Sequence, residues 1–273
     1  MRAIAEALQI SRSNLINKLK APRKRVTRKP EDESLLESIR EVVKERHTYG
    51  YRRITVLVNG KLKKLGCCAI NRKRVYRLMK QNNLLLGRPS SKPKRPHTGK
   101  VQTLLSNTRW CSDTFTIQCL NGEQVHVAFS IDTCDREVMR YIASTIGIDG
   151  QAIRDLMVET VEYRLGCSRA ERPIQWLSDN GSCYTARETV AFGKKVGLDI
   201  RTTPAYSPES NGMAEAFVKT FKRDYVWFGD LKDARTVMGQ LGKWMEDYNE
   251  KAPHKALKML SPREFIKGQK LAS

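Results

Sequence analysis

Between Trp176 and Asp224 the chain reads WLSDNGSCYTARETVAFGKKVGLDIRTTPAYSPESNGMAEAFVKTFKRD, and this stretch limits what it can fold into more than any other. Ile174, Trp176 and Leu177 run into Asp179-Asn180-Gly181, which predicts a strand ending on a carboxylate just before a turn. Apolar residues at helical spacing from Ala186 to Val196 predict a helix, and Leu198 to Thr203 reads as a short strand. Ser207-Pro208 opens a second helix with proline at its first position, and that helix carries Glu215. Upstream, Arg109 to Gln118, Gln124 to Asp132 and Val138 to Thr145 alternate as strands, with Asn121-Gly122 as a hairpin turn. Asp113 falls inside the first of them, and Gly150 to Leu165 follows the third as a helix. One carboxylate on a strand, one at a strand end and one on a helix can meet in space.

Three such carboxylates suit two-metal phosphoryl transfer. Mg2+ takes hard oxygen ligands and keeps several waters, so a few Asp and Glu side chains can hold two ions roughly 4 Å apart around attacking and leaving oxygens. The expected catalytic and metal-holding residues are therefore Asp113, Asp179 and Glu215, with two Mg2+ ions and Mn2+ as a substitute. The spacing alone carries little weight in a chain with 29 acidic residues, and the surrounding residues matter more. Asp132 and Asp135 at a strand end and Glu209 near the Glu215 helix compete for the role; a strand-end turn and a helix N-terminal charge are the plainer readings of them.

WCSDTF, WLSDNGSCY and YSPESNGMAEAFVKTFKRD resemble the three blocks of the Asp, Asp, Glu core of retroviral-integrase-like transposases, in which 35 residues separate the second Asp from the Glu, as they do here. More narrowly, the chain resembles the OrfB product of the IS-three family of bacterial insertion sequences, in its IS-two-like branch, over roughly residues 45 to 267. The family's basic residue, seven positions after the Glu, is Lys222 here. Seven residues is about two helical turns, so Glu215, Lys219 and Lys222 share a face. Lys219 reads either as a DNA contact or as an i+4 partner of Glu215.

The resemblance implies an α/β ribonuclease-H-like catalytic domain, a mixed five-stranded sheet with helices, behind small helical DNA-binding modules. The run of three strands followed by alternating helices and strands agrees with that order. It further implies a DNA transposase that binds double-stranded element ends and target DNA. Hydrolysis at an element end would be followed by attack of the released 3'-OH on another phosphodiester. One ion, between Asp113 and Asp179, would serve the nucleophile and the other, between Asp113 and Glu215, the leaving oxygen. A homo-oligomer on DNA and fusion with, or binding to, the upstream OrfA product are also implied. A structure-specific nuclease of the same fold and a non-catalytic DNA-binding regulator are the alternatives.

The charge is unevenly placed. Residues 1 to 105 hold 27 Lys and Arg against 7 Asp and Glu, net +20, whereas residues 106 to 273 hold 23 against 22, net +1. Tyr51 to Leu105 contains 15 basic residues and no acidic one, the footprint of a polyanion-binding module; a solvated basic surface or an RNA binder is the plainer alternative. No run approaches the about 20 apolar residues that span a membrane, and no signal-peptide core opens the chain, so a cytoplasmic, nucleoid-associated protein is expected. The 7 cysteines include no C-x-x-C pair, and the 4 histidines are scattered, which supports neither a disulfide framework nor a zinc module.

From the N-terminus, Ile4 to Leu8 and Ser13 to Leu19, with Ser11 as N-cap between them, predict either a helix-turn-helix or a plain helical hairpin over residues 1–21. Residues 22–30 are a basic linker bounded by prolines. Residues 31–87 form a helical DNA-binding module: an amphipathic helix Glu31 to Arg46, the segment His47-Thr-Tyr-Gly-Tyr-Arg-Arg53, and helices from Arg52 to Leu65 and Asn71 to Asn82. Arg72, Lys73, Arg74 and Arg77 are expected outward on the last helix, as a recognition face or a merely solvated one, with Arg52 and Arg53 as further DNA contacts. Residues 88–105 are a second basic linker, and the catalytic core is expected over 106–273.

Overall fold

The computed structural model describes residues 2–19, 30–87, 103–203 and 212–270. The predicted helix start at Ser207-Pro208, Glu209 and most of the two basic linkers lie outside these residues.

Helices α1 (Arg2–Ala7) and α2 (Arg12–Leu19) come first, and the Ser11 hydroxyl accepts the Asn14 N–H, as an N-cap does. Helices α3 (Asp32–Glu45), α4 (Tyr51–Lys64) and α5 (Arg72–Gln81) then pack around Leu35, Ile39, Val42, Ile54, Val58, Val75, Leu78 and Met79. Their apolar residues recur at helical spacing, so each helix has a single stripe to bury and three helices close a small core. Asn71 caps α5 by accepting the Lys73 N–H.

The larger unit is a five-stranded sheet in the order β3-β2-β1-β4-β5. Strands β1 (Arg109–Gln118), β2 (Gln124–Asp132) and β3 (Val138–Ser144) form an antiparallel meander, and Gly122, at φ 90°, makes the turn after β1. Strands β4 (Ile174–Ser178) and β5 (Leu198–Thr202) are parallel to β1 and follow α6 (Gly150–Leu165) and α8 (Arg187–Lys195), with the short α7 (Ser182–Thr185) before α8. Alternation divides the sheet. Trp110, Ala128 and Trp176 face α6 and α8, whereas Cys111, Phe115, Phe129 and Leu177 face α9 (Gly212–Asp224) and α10 (Ala234–Lys251). Helix α11 (Pro262–Lys270) packs on α10.

Candidate active site

Asp113 lies two residues from both Cys111 and Phe115, on the side of β1 that α9 covers. The parallel register pairs Cys111 with Leu177, and carrying it two residues on sets Asp113 level with Asp179, just beyond the end of β4. Both carboxylates therefore face α9. That helix is seated by Ala214, Phe217 and Phe221, with Phe217 4.5 Å from Phe129 and Phe221 5.7 Å from Phe115 between ring centroids. Flanking this apolar stripe, α9 carries Glu215 and Lys219, both exposed, and the half-buried Lys222, whose Nζ is 5.6 Å from the Phe115 ring centroid.

Burial pushes the Asp113 carboxyl up to about 6, and the charges of Asp179 and Glu215 push it in the same direction, while the Thr114 N–H, donating at 2.8 Å, opposes them. Asp179 and Glu215 are thus both within electrostatic reach of Asp113. Asp179 holds one oxygen on the Gly181 N–H at 3.0 Å, which fixes its rotamer at the strand end. Among the described residues no three acidic, His or Cys side chains are close enough to share one ion. A cavity of about 740 Å³ lies elsewhere, at the opposite ends of β1, β4 and β5, lined by Leu105, Asn107, Gln175 and Asp199 among others. It is remote from the carboxylates, and electrostatic convergence is the better guide to the chemistry.

The competing acids have other partners. Asp132 and Asp135 are fully buried beside Glu137, where the Arg164 guanidinium meets Asp135 and Glu137 directly and lies 3.8 Å from Asp132. Asp132 also accepts the Asn107 N–H at 2.7 Å. They hold the β2–β3 connection against the end of α6.

The outward placement expected for several cations does not hold. Arg74 and Arg77, three residues apart on α5, both reach Asp32 in the first turn of α3, at 2.8 and 2.7 Å, because that part of the polar face of α5 is covered by the neighbouring helix. Arg53 is turned inward too, onto Asp224 at the end of α9, 2.8 Å away. Arg52, Arg72 and Lys73 are exposed. Sequence reasoning missed Thr48, Asp224, Arg46 and Asp247, which join the three-helix module of α3 to α5 to the core; partners 171 to 201 positions apart leave no local pattern to find.

Residues 105–208 and 196–262 match two integrase core domain families, and residues 30–92 match the HTH-like domain, leaving α1 and α2 outside it. The transposase InsD for insertion element IS2A/D/F/H/I/K of Escherichia coli is 45% identical over 245 residues, covering 89% of this chain and 81% of the relative. The transposase InsD for insertion element IS2-9 of Escherichia coli (strain K12) is equally similar, over 89% and 80% of the two chains. In fold, the chain is similar to one from the cryoEM structure of the simian T-cell lymphotropic virus intasome in complex with PP2A regulatory subunit B56 gamma, at TM-score 0.52 and 14% identity, over 83% of this chain and 73% of that one. These likenesses favour a transposase over a stand-alone nuclease or a non-catalytic regulator. The sheet with its facing carboxylates is accordingly an integrase core, and the chain belongs to the InsD-type transposases of the IS-three family of insertion elements.

Proposed function

We propose that this transposase cuts DNA at the ends of its element and joins the freed 3' ends to target DNA, with Asp113, Asp179 and Glu215 as its catalytic carboxylates. The observation that supports this reading is the strand register, which sets Asp113 level with Asp179 on the side of the sheet that the Glu215 helix covers, with like charge from both acids acting on Asp113. Such a cluster of hard oxygens is what a divalent cation neutralises, so the residues fit a pair of Mg2+ ions, or Mn2+. Asp113 with Asp179 would hold one ion and Asp113 with Glu215 the other. When bound, the ions lower the pKa of an attacking water or 3'-OH and stabilise charge on the leaving oxygen.

The chain's own residues place the DNA. Lys222, beside Phe115 on β1, and the exposed Lys219 present ammonium groups to phosphates next to the cut. In hydrolysis a water oxygen bonds to phosphorus as the bond to the 3' oxygen breaks. In transfer that 3' oxygen attacks a target phosphorus and displaces another 3' oxygen. Neither displacement needs a protein nucleophile. Arg52, Arg72 and Lys73 on the HTH-like module supply duplex contacts away from the cut. Action in the cytoplasm on nucleoid DNA, as a homo-oligomer joined to the upstream OrfA product, completes the proposal, with residues 106–273 as the catalytic core.

The test uses labelled duplex carrying an element end. Asp113→Asn, Asp179→Asn and Glu215→Gln should each lose at least about 100-fold in divalent-dependent cleavage while retaining DNA affinity. Wild-type cleavage by any one of the three overturns its assignment.

A further inference from the structure

Arg53, expected to offer its cation to DNA, instead grips the core, and other residues between Arg46 and Tyr49 join it. Arg53 donates to Asp224 at 2.8 Å and Thr48 to the same carboxylate at 2.6 Å, and this fully buried carboxylate belongs to the last residue of the Glu215 helix. The Arg53 guanidinium also lies 3.4 Å from the Tyr49 ring centroid, over a side chain only 2% exposed. A second arm joins Arg46 to Asp247 of α10 at 2.7 Å, where the Tyr225 hydroxyl donates to the other carboxylate oxygen at 3.0 Å. His47 stacks on Phe228 with ring centroids 5.2 Å apart. Burial alone would raise Asp224, but its hydrogen bond from Arg223, the Arg53 charge and Thr48 hold it below the usual carboxylate range. Ala214, Phe217 and Phe221 seat α9 by non-directional contacts, and Asp224 gives it a directional one.

We propose that this contact is a latch that fixes the HTH-like module in register with the Glu215 helix and so sets the distance between the DNA sequence bound and the bond cut. Arg53, Thr48 and Asp224 act as positioning residues, and the idea rests on the cleavage reading above. A shift of about 1 Å in a catalytic group can cost on the order of 100-fold in rate, so a loosened α9 loses accuracy before it loses binding.

Arg53→Met and Asp224→Asn separate a latch from a DNA contact, because they change the net charge in opposite directions. A DNA-contact role for Arg53 predicts opposite effects on affinity. The latch predicts the same effect from both: cleavage on full-length chain spreads from one phosphodiester to its neighbours, and the main product falls by about 10-fold at saturating DNA. Arg53→Lys, which keeps the charge, should recover most of the single product. Unchanged cut positions, or opposite behaviour of the two variants, overturn the latch. If thermal melting shows that either charge variant is unfolded, Thr48→Ala decides, with a smaller spread expected and no spread overturning it. Hydrogen exchange in the last turn of α9 supplies a readout without cleavage: faster exchange in Asp224→Asn is expected, and unchanged exchange removes the latch even where no cleavage is detected. Absence of cleavage by the wild-type chain joined to the upstream OrfA product would instead count against the catalytic reading.

Discussion

At the scale of single residues, Asp113 carries a cost that its neighbours impose. Its carboxyl, pushed up to about 6 from 3.8 by burial and by Asp179 and Glu215, holds a proton more tightly folded than unfolded. Stability from this group is therefore present below about 4 and lost as pH rises through about 6, so at neutral pH the cluster strains the fold until a cation offsets it. The half-buried position of Asp113 screens part of this, leaving on the order of 1 kcal/mol, or about 2–4 °C in melting temperature for a chain of this size. Asp113→Asn should therefore melt slightly higher than wild type without metal at pH 7.5. It should also lose most of the stabilisation that Mg2+ gives the wild-type chain. Thermal melts of both proteins with and without Mg2+ check this, and a metal-free variant less stable than wild type contradicts it.

Among the elements, the connection from β2 to β3 gathers three acids around Arg164. Arg164, in the last turn of α6, faces Asp132, Asp135 and Glu137, and Arg263 of α11 adds a contact to Glu137 at 3.2 Å. Removing one member of a buried ion network leaves uncompensated charge, so Arg164→Leu should cost about 3–5 kcal/mol at neutral pH. Burial, with the Asp135 charge second, raises Asp132 above the usual carboxylate range, so the cost should shrink as pH falls and Asp132 takes a proton. Denaturant unfolding at pH 7.5 and 5.5 tests both the size and the trend; equal destabilisation at the two pH values would be the contrary result. This network also marks how far the sequence can be read. Alternation places the meander closely, with Val138 to Thr145 expected and Val138–Ser144 found, and helical spacing places α4 within a residue at each end. Helix α10 carries the same kind of signal in Val237, Leu241, Trp244, Met245 and Tyr248, yet the sequence reading assigns no element there. Asp113, Asp179 and Glu215 stand out by their setting on strands and helix and by the family pattern, whereas Asp132 can be set aside only by a plainer alternative. Which polar groups are covered depends on how helices pack. The inward turn of Arg53, Arg74 and Arg77 follows from α9 and α3 lying against them, and periodicity along one helix carries no such information.

For the whole molecule, the charge asymmetry becomes a statement about which part meets DNA. The net +20 over residues 1 to 105 includes cations that the structure commits internally: Arg46 and Arg53 on the core, Arg74 and Arg77 on α3. Exposed Arg72 and Lys73, at the start of α5, remain available to phosphates. Neutralising one fewer phosphate should reduce the slope of log affinity against log salt by about 0.9, because one fewer counterion is released. Replacing both residues with Gln in the full chain should therefore flatten the slope by about 2, weakening binding at low salt far more than at high salt. Arg74→Gln should differ in kind. It opens an ion pair with Asp32 in the three-helix core, so it should lower the melting temperature and leave the salt slope within about 0.5 of wild type. Binding measured across a salt series, with melting curves alongside, distinguishes the two. An Arg74→Gln slope as flat as that of the double variant would return this arginine to the DNA-contacting surface and show that its contact with α3 opens when duplex binds.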